Sequence, residues 1–199
     1  MNRLDATRRV VAALAPLRDT PIVASLGHPA YDLYAAGDRP ANFYTWGSMG
    51  LASSIGLGLA MARADLRVFV VDGDGSLLMN LGSLATIGWV RPANLVVIVW
   101  DNGEYGTTGG QPTATAQGAD LAAAALAMGA AQAATVSSGE EFGAALARAR
   151  AVAGPWVIVA KVAESPPTVK PPLDCVYIKQ RFMAAIGRPE DATLGGTRP

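Results

Sequence analysis

Two continuously apolar segments, each ending in a polar turn that contains glycine, constrain the fold of this chain most strongly. Residues 67–71 (RVFVV) lead into the turn GDGS at 73–76, and residues 95–100 (LVVIVW) lead into the turn DNGE at 101–104. Segments that are apolar throughout are typical of parallel strands covered on both faces. The residues between them are long enough for a crossover helix. The pair therefore predicts a βαβ unit whose polar turns share the carboxyl edge of the sheet, where open α/β sheets bind ligands.

The rest of the chain continues this alternation of strands and helices. Further strands are predicted at 22–25, 42–44, 131–136 and 156–162, and helices at 4–17, 29–36, 51–62, 120–128 and from 138 onward. Short connections between alternating elements predict an α/β fold, a single three-layer domain with a mostly parallel sheet of five or six strands and helices on both faces. We assign residues 1–165 to this domain and 166–199 to a proline-rich extension that includes a short helix at 176–186.

The composition excludes several classes of protein. Charged residues make up only 16% of the chain and hydrophobic residues 51%, which indicates extensive contact with a partner, and the zero net charge provides no long-range attraction for nucleic acid. The single cysteine, Cys175, excludes an internal disulfide and an iron–sulfur cluster held by cysteines of this chain. No apolar run approaches the ~20 residues of a membrane span. The N-terminus does not resemble a signal sequence, so we expect a cytoplasmic protein.

The two polar turns carry oxygen ligands suited to a divalent cation. Asp74 supplies a charged carboxylate oxygen, Asn102 a neutral amide oxygen, and a chain turning away after the strand would point the backbone carbonyl of Glu104 back toward them. Mg²⁺ prefers such ligands and completes its octahedral shell with phosphate and water. The pattern therefore predicts a magnesium site that holds a phosphate group.

The residues around Asp74 are suited to the phosphate itself. Gly73 and Gly75 would permit unusual backbone angles and close approach of phosphate oxygens. Ser76 is expected to open the following helix, so that its N–H belongs to the positive end of the helix dipole, where anions bind.

The spacing of these turns gives a more specific indication. Gly-Asp-Gly, followed by Asn102 after 26 further residues, resembles the diphosphate-binding signature of thiamine diphosphate enzymes. The resemblance implies thiamine diphosphate and Mg²⁺ as cofactors, with Asp74, Asn102 and the carbonyl of Glu104 as the metal ligands. Asp101 stands where that family usually has a first asparagine, a position that does not ligate the metal.

A second segment carries the same resemblance independently. Gly47-Ser48-Met49-Gly50 is similar to the segment that cradles the two rings of the cofactor in this family. Met49 would be the apolar side chain that props the cofactor in its bent conformation, and the carbonyl of Gly47 would accept a hydrogen bond from the exocyclic amine. The alternative for Met49 is an ordinary core methionine.

Two loops add further candidates. Gly27 and His28 lie in the first strand-to-helix loop, which often touches the diphosphate in this family; His28 could bind diphosphate or substrate, or be an exposed loop histidine. Tyr105 follows the metal turn and is counted among the cofactor-binding candidates. It begins the Gly- and Thr-rich part of loop 103–117, which is either a lid over an anionic substrate or a polar loop without such contacts.

The resemblance covers roughly residues 22–162, which correspond to one half of the cofactor site. In this family the glutamate that activates the cofactor comes from a separate pyrimidine-binding module. The resemblance therefore implies a partner α subunit in an α/β heteromer, α2β2 or larger. The implied activity is that of a lyase, a 2-oxo acid decarboxylase most similar to those converting sulfopyruvate to sulfoacetaldehyde and carbon dioxide, with phosphonopyruvate decarboxylase as an alternative. An acetolactate synthase-like carboligase subunit and a non-catalytic phosphate-binding module remain alternatives.

Overall fold

The described part of the computed structural model, residues 1–16, 20–163 and 169–187, contains eight strands. In chain order they are β1 (Ile22–Ala24), β2 (Asn42–Tyr44), β3 (Val68–Gly73), β4 (Leu95–Asp101), β5 (Glu104–Tyr105), β6 (Gln111–Pro112), β7 (Gln132–Val136) and β8 (Trp156–Lys161). Six of them form one parallel sheet in the order β2-β1-β3-β4-β8-β7. The pairing of β3 with β4 runs from Val68 opposite Leu95 to Gly73 opposite Trp100. Both polar turns therefore leave the sheet at the same edge, as predicted.

Helices cover both faces of this sheet. They are α1 (Arg3–Leu14), α2 (His28–Ala36), α3 (Ala52–Ala62), α4 (Asp74–Met79), α5 (Gly82–Val90), α6 (Leu121–Ala127), α7 (Gly139–Ala151) and α8 (Cys175–Ile186). Side chains of α1, α2, α7 and α8 share one buried cluster with one face of the strands, and side chains of α3 to α6 share a second cluster with the other face. The predicted three-layer α/β fold with a six-stranded parallel sheet is confirmed.

Helix α3 lies close to the sheet because it is built from small residues. A Cβ placed on Gly56 would lie 2.2 Å from Cγ2 of Val70 on β3, so the α-carbon of this glycine rests directly on the strand. A larger side chain here would force the helix outward. The close approach brings the start of α3 next to the end of β3.

Two connections differ from the sequence prediction. The crossover between β3 and β4 is two helices rather than one, because the chain leaves helical geometry at Asn80, whose side chain donates to the carbonyl of Gly50 at 3.1 Å. The segment predicted as the loop 103–117 contains an antiparallel hairpin, β5–β6, and a short 3₁₀ helix, Ala114–Gln117. The Asn80 contact is long-range and the hairpin strands have two residues each, so hydrophobic periodicity reveals neither feature.

The predicted C-terminal helix is present as α8 and packs on the domain. Ile178 joins the buried core, and Arg181 forms an ion pair with Asp38 at 2.5 Å, next to β2. The boundary predicted at residue 165 and the prolines at 166 and 167 lie outside the described residues. Within the described ranges, no helix is both long and apolar enough to cross a membrane.

Candidate cofactor site

A cleft opens at the carboxyl edge of the sheet, where β1, β3 and β4 end. It brings together residues from both polar turns, from the first strand-to-helix loop, from the GSMG segment and from the hairpin. Nine of the predicted cofactor residues line it: His28, Met49, Gly73, Asp74, Gly75, Ser76, Asn102, Glu104 and Tyr105. Residues that are distant in sequence thus form one concave surface at the place where ligands bind in this type of sheet.

Asp74 is the most strongly held of these residues. It begins α4 and is only 2% exposed. Its Oδ2 accepts hydrogen bonds from Thr113 Oγ1 at 2.5 Å and from Thr115 Oγ1 at 2.9 Å. Burial raises the pKa of the carboxyl group, and the two hydroxyls oppose that shift. A bound cation would compensate the buried charge.

The backbone of the second turn also suits a cation. The Asn102 Oδ1 accepts the N–H of Glu104 at 3.3 Å, which fixes the side chain over its own turn. The carbonyls of Gly103 and Tyr105 accept N–H groups from the hairpin partner, Thr113 and Gly110. The carbonyl of Glu104, which lies between them in the chain, is not one of the acceptors in these two hydrogen bonds. The residue paired with Glu104 is Pro112, which has no N–H to donate.

The two sequence motifs are joined by direct hydrogen bonds. Ser76 Oγ accepts the N–H of Gly50 at 3.0 Å and lies 3.0 Å from Ser25 Oγ. Ser25 follows β1, so Ser76 links three segments that meet at the sheet edge. Asn80 adds a second link through the carbonyl of Gly50. These hydrogen bonds therefore connect Gly50, the residue after Met49, to the GDGS turn and to the end of α4.

The predicted roles of Gly73, Gly75 and Ser76 need correction in their backbone details. Gly73 has an ordinary extended conformation, with φ −99°, and Gly75 is a regular helical residue. The helix begins at Asp74, so Ser76 is its third residue and its buried side chain is engaged with Ser25 and Gly50. What requires glycine at 75 is space, because a Cβ there would lie 2.4 Å from the ring of Tyr105.

Three of the predicted residues do not line the cleft. Gly27 caps α2 with φ 75° and lies against the side chain of Thr107. Gly47 and Ser48 are exposed, and Ser48 has a left-handed φ of 64°, uncommon for a residue with a side chain. These residues shape the loops that present His28 and Met49 to the cleft.

Several residues of the site were not found from the sequence. Arg3, which is paired with Asp32 at 2.6 Å, lines the cleft from α1, and Trp100 lines it from β4. Thr107 and Thr108, which belong to the loop predicted as either a lid over an anionic substrate or a polar loop, line the cleft from the hairpin. Thr113 and Thr115 act on Asp74 from the segment after β6. A T-x-T pattern after a proline carries no local signal of this role, since only the folded hairpin brings the two hydroxyls to Asp74.

The donor set matches magnesium rather than a transition metal. In the described ranges no group of three His, Cys, Asp or Glu side chains could hold a metal. A carboxylate, an amide oxygen and a backbone carbonyl are all hard oxygen ligands, which suit Mg²⁺. The residues present therefore fit a Mg²⁺–diphosphate group.

Comparison with known proteins identifies the class. The sequence model described as "Thiamine pyrophosphate enzyme, C-terminal TPP binding domain" matches residues 28–160. The chain belongs to this family of thiamine pyrophosphate enzymes, which confirms the predicted family and cofactor.

Two relatives and one solved structure show which known proteins this chain is similar to. The chain is 42% identical over 196 residues to the sulfopyruvate decarboxylase subunit beta of Methanocaldococcus jannaschii, covering 94% of this chain and 98% of the relative. It is 38% identical to the phosphonopyruvate decarboxylase of Streptomyces viridochromogenes, covering 96% of this chain but 48% of that protein. An X-ray structure from Mycobacterium smegmatis, described as that of a "putative thiamin diphosphate-dependent enzyme", shares the fold, with a TM-score of 0.68 and 23% identity over 83% of this chain and 32% of the other.

Proposed function

We propose that this chain is the diphosphate-binding β subunit of a thiamine diphosphate- and Mg²⁺-dependent 2-oxo acid decarboxylase, which converts sulfopyruvate to sulfoacetaldehyde and carbon dioxide. The observation that carries the proposal is the joining of the GDGS turn, the DNGE turn and the GSMG segment around one cleft. The family membership supports the cofactor. The relative named sulfopyruvate decarboxylase subunit beta, of which the chain covers 98%, supports the substrate and the subunit.

In this proposal the metal site is formed by three oxygens of the chain. The Asp74 carboxylate, the Asn102 amide oxygen and the Glu104 carbonyl hold Mg²⁺, and the ion holds the diphosphate. Gly73, Gly75 and Ser76 provide the backbone against which the phosphates lie. These groups form no bond to substrate; they fix the position of the reacting ring relative to the protein.

When bound, thiamine diphosphate supplies the carbon nucleophile and accepts the electron pair released as carbon dioxide leaves. Met49 would support the bend of the cofactor, and the carbonyl of Gly47, an exposed residue outside the cleft lining, would accept a hydrogen bond from its amino group. His28 lines the cleft at the start of α2, and Thr107 and Thr108 line it from the hairpin. In this proposal the ring nitrogens of His28 and the hydroxyls of Thr107 and Thr108 bind the anionic groups of the diphosphate and of the substrate.

A partner subunit completes the site. The carboxylates that line the cleft in the described residues are Asp74 and Glu104, and both belong to the metal turns. The glutamate that activates the cofactor is therefore assigned to a pyrimidine-binding α subunit, in an α2β2 or larger heteromer. Leu51 (44% exposed) and Met79 (63% exposed) flank the GSMG segment, and such apolar side chains beside a half-site support a covering partner.

The experiment is reconstitution with the candidate α subunit, followed by titration with thiamine diphosphate and Mg²⁺ and by assays of sulfopyruvate and phosphonopyruvate. We expect metal-dependent cofactor binding and release of carbon dioxide and aldehyde, with sulfopyruvate preferred. An Asp74→Asn control should lose metal-dependent binding. Preference for phosphonopyruvate, or formation of acetolactate from pyruvate, would replace the proposed substrate. Absence of cofactor binding would reject the enzyme assignment.

A further inference from the structure

Two threonines outside every motif converge on the metal ligand. Thr113 and Thr115 follow β6 and are 2% and 7% exposed. Both hydroxyls reach the same oxygen, Oδ2 of Asp74, at 2.5 and 2.9 Å. A carboxylate oxygen that faces two buried hydroxyls is restrained in rotation, so its orientation is set by the protein before any cation arrives.

The same cluster includes a second carboxylate. Thr115 Oγ1 lies 2.8 Å from Asp101 Oδ1, and the other oxygen of Asp101 accepts from Lys161 Nζ at 2.5 Å. Asp101 is 3% exposed and also accepts the N–H of Gly103. Asp101 is therefore a buried anion whose charge is balanced by one lysine and by hydrogen-bond donors.

Counting protons shows that Thr115 is shared. Each threonine hydroxyl carries one proton and donates one hydrogen bond at a time. Thr113 donates to Asp74, whereas Thr115 lies within hydrogen-bond distance of Asp74 and Asp101 and also lies 2.8 Å from the Thr113 hydroxyl. Lys161 supplies Asp101 with a charge-assisted bond, which lowers the demand of Asp101 for the Thr115 proton. The hydrogen bond between Lys161 and Asp101 therefore helps to direct the Thr115 hydroxyl toward Asp74.

We propose that Thr113 and Thr115 are positioning residues for the divalent cation, holding Asp74 by Oδ2 so that the carboxylate is presented to the metal in one orientation. Thr115 couples this orientation to the Asp101–Lys161 pair. The inference rests on the proposed function, because it assigns Asp74 to the Mg²⁺ of thiamine diphosphate. The proposal adds Thr113 and Thr115 to the metal site. These two residues lie after the DNGE turn, in a segment that belongs to none of the sequence motifs.

The test is calorimetric titration of Mg²⁺ into the assembled complex with thiamine diphosphate present, for wild type, Thr113→Val and Thr115→Val. Partners that orient metal ligands typically contribute 10–100-fold to metal affinity, so we expect each valine variant to weaken Mg²⁺ binding by about that factor. In turnover, the half-saturating Mg²⁺ concentration should rise much more than kcat at saturating Mg²⁺ falls. The serine variants Thr113→Ser and Thr115→Ser keep the hydroxyl and should bind Mg²⁺ as wild type does.

Thr7→Val is the matched control. Thr7 is also buried, but its hydroxyl donates to the carbonyl of Arg3 within α1 at 2.9 Å. Its loss should leave Mg²⁺ affinity unchanged. Wild-type affinity in both valine variants would overturn this inference and leave the proposed function standing. Failure of wild type to bind Mg²⁺ with thiamine diphosphate would overturn both. If a valine variant does not fold, the alanine variant is titrated in its place.

Discussion

Replacing Ser76 with alanine should weaken the connection between the GDGS turn and the GSMG segment, while the hydrogen bond from Asn80 to the Gly50 carbonyl remains. Ser76 Oγ is the acceptor for the Gly50 N–H and the partner of the Ser25 hydroxyl, both at 3.0 Å. Ser76 is 6% exposed and Ser25 is 1% exposed, so water does not readily replace the lost contacts. Two hydrogen bonds at about 1 kcal/mol each give a loss of about 2 kcal/mol in the free energy of unfolding. For a chain of this size that corresponds to a fall in Tm of about 4–8 °C.

The chain contains a matched control for this change. Ser53 and Ser83 form another buried serine pair, with Oγ atoms 2.9 Å apart, between α3 and α5. Neither residue lines the cleft. Ser53→Ala should therefore cost about 1 kcal/mol and leave the cofactor site intact. Urea denaturation measures the stability of each variant, and calorimetric titration measures the affinity for thiamine diphosphate with Mg²⁺.

The two variants should differ in cofactor affinity as well as in stability. We expect Ser76→Ala to weaken cofactor binding, because Gly50 and hence Met49 are no longer fixed relative to Asp74, whereas Ser53→Ala binds cofactor as wild type does. Equal cofactor affinity in both variants and wild type, despite loss of stability, would refute the reasoning that Ser76 couples the motifs.

Three further predictions follow from single contacts. Gly75→Ala places a methyl group 2.4 Å from the Tyr105 ring, so thiamine diphosphate affinity should fall, and adding Tyr105→Ala should restore part of it. Met49→Ala should reduce kcat by as much as about 10²-fold through misplacement of the cofactor while its dissociation constant changes little, and Met49→Leu should retain most of kcat. Asp101→Asn should lower stability by about 1 kcal/mol or less in urea denaturation, because Lys161 is 44% exposed, and should keep Mg²⁺ binding, because position 101 does not ligate the metal and the new amide oxygen can still accept from Thr115.

Each of these has an outcome that contradicts it. Unchanged cofactor affinity in Gly75→Ala would mean that the Tyr105 hairpin can move away from the added methyl group without changing the cofactor site. Unchanged turnover in Met49→Ala would return Met49 to the role of a packing residue. Loss of Mg²⁺ binding in Asp101→Asn would make the carboxylate charge itself necessary.

The sequence was sufficient to predict the sheet and the principal motif residues. The runs at β3 and β4 are apolar throughout because both faces of the sheet are covered, and their polar ends must then share one edge. That geometry alone brings Asp74 and Asn102 to the same cleft. The connection of GSMG to GDGS through Ser76 could not be predicted, because no periodicity indicates which buried serine accepts from Gly50.

The hairpin β5–β6 could not be predicted from the local sequence. Residues 103–117 have the composition of a loop, and their strands are two residues each, too short to leave a pattern. The hydroxyls of Thr113 and Thr115 reach Asp74 only after the chain has reversed direction. The break at Asn80 was missed for a similar reason, since the side-chain bond to Gly50 ends a helix that hydrophobic periodicity would continue.

The most direct measurement is the structure of the assembled heteromer with thiamine diphosphate and Mg²⁺. We expect one ion bound by the Asp74 carboxylate, the Asn102 amide oxygen and the Glu104 carbonyl, with metal–oxygen distances of about 2.0–2.1 Å. We also expect the reactive ring to lie over Met49 and to be covered by the other subunit. A map with no ion between Asp74 and Asn102, or with the cofactor enclosed by one copy of this chain alone, would contradict the proposed site.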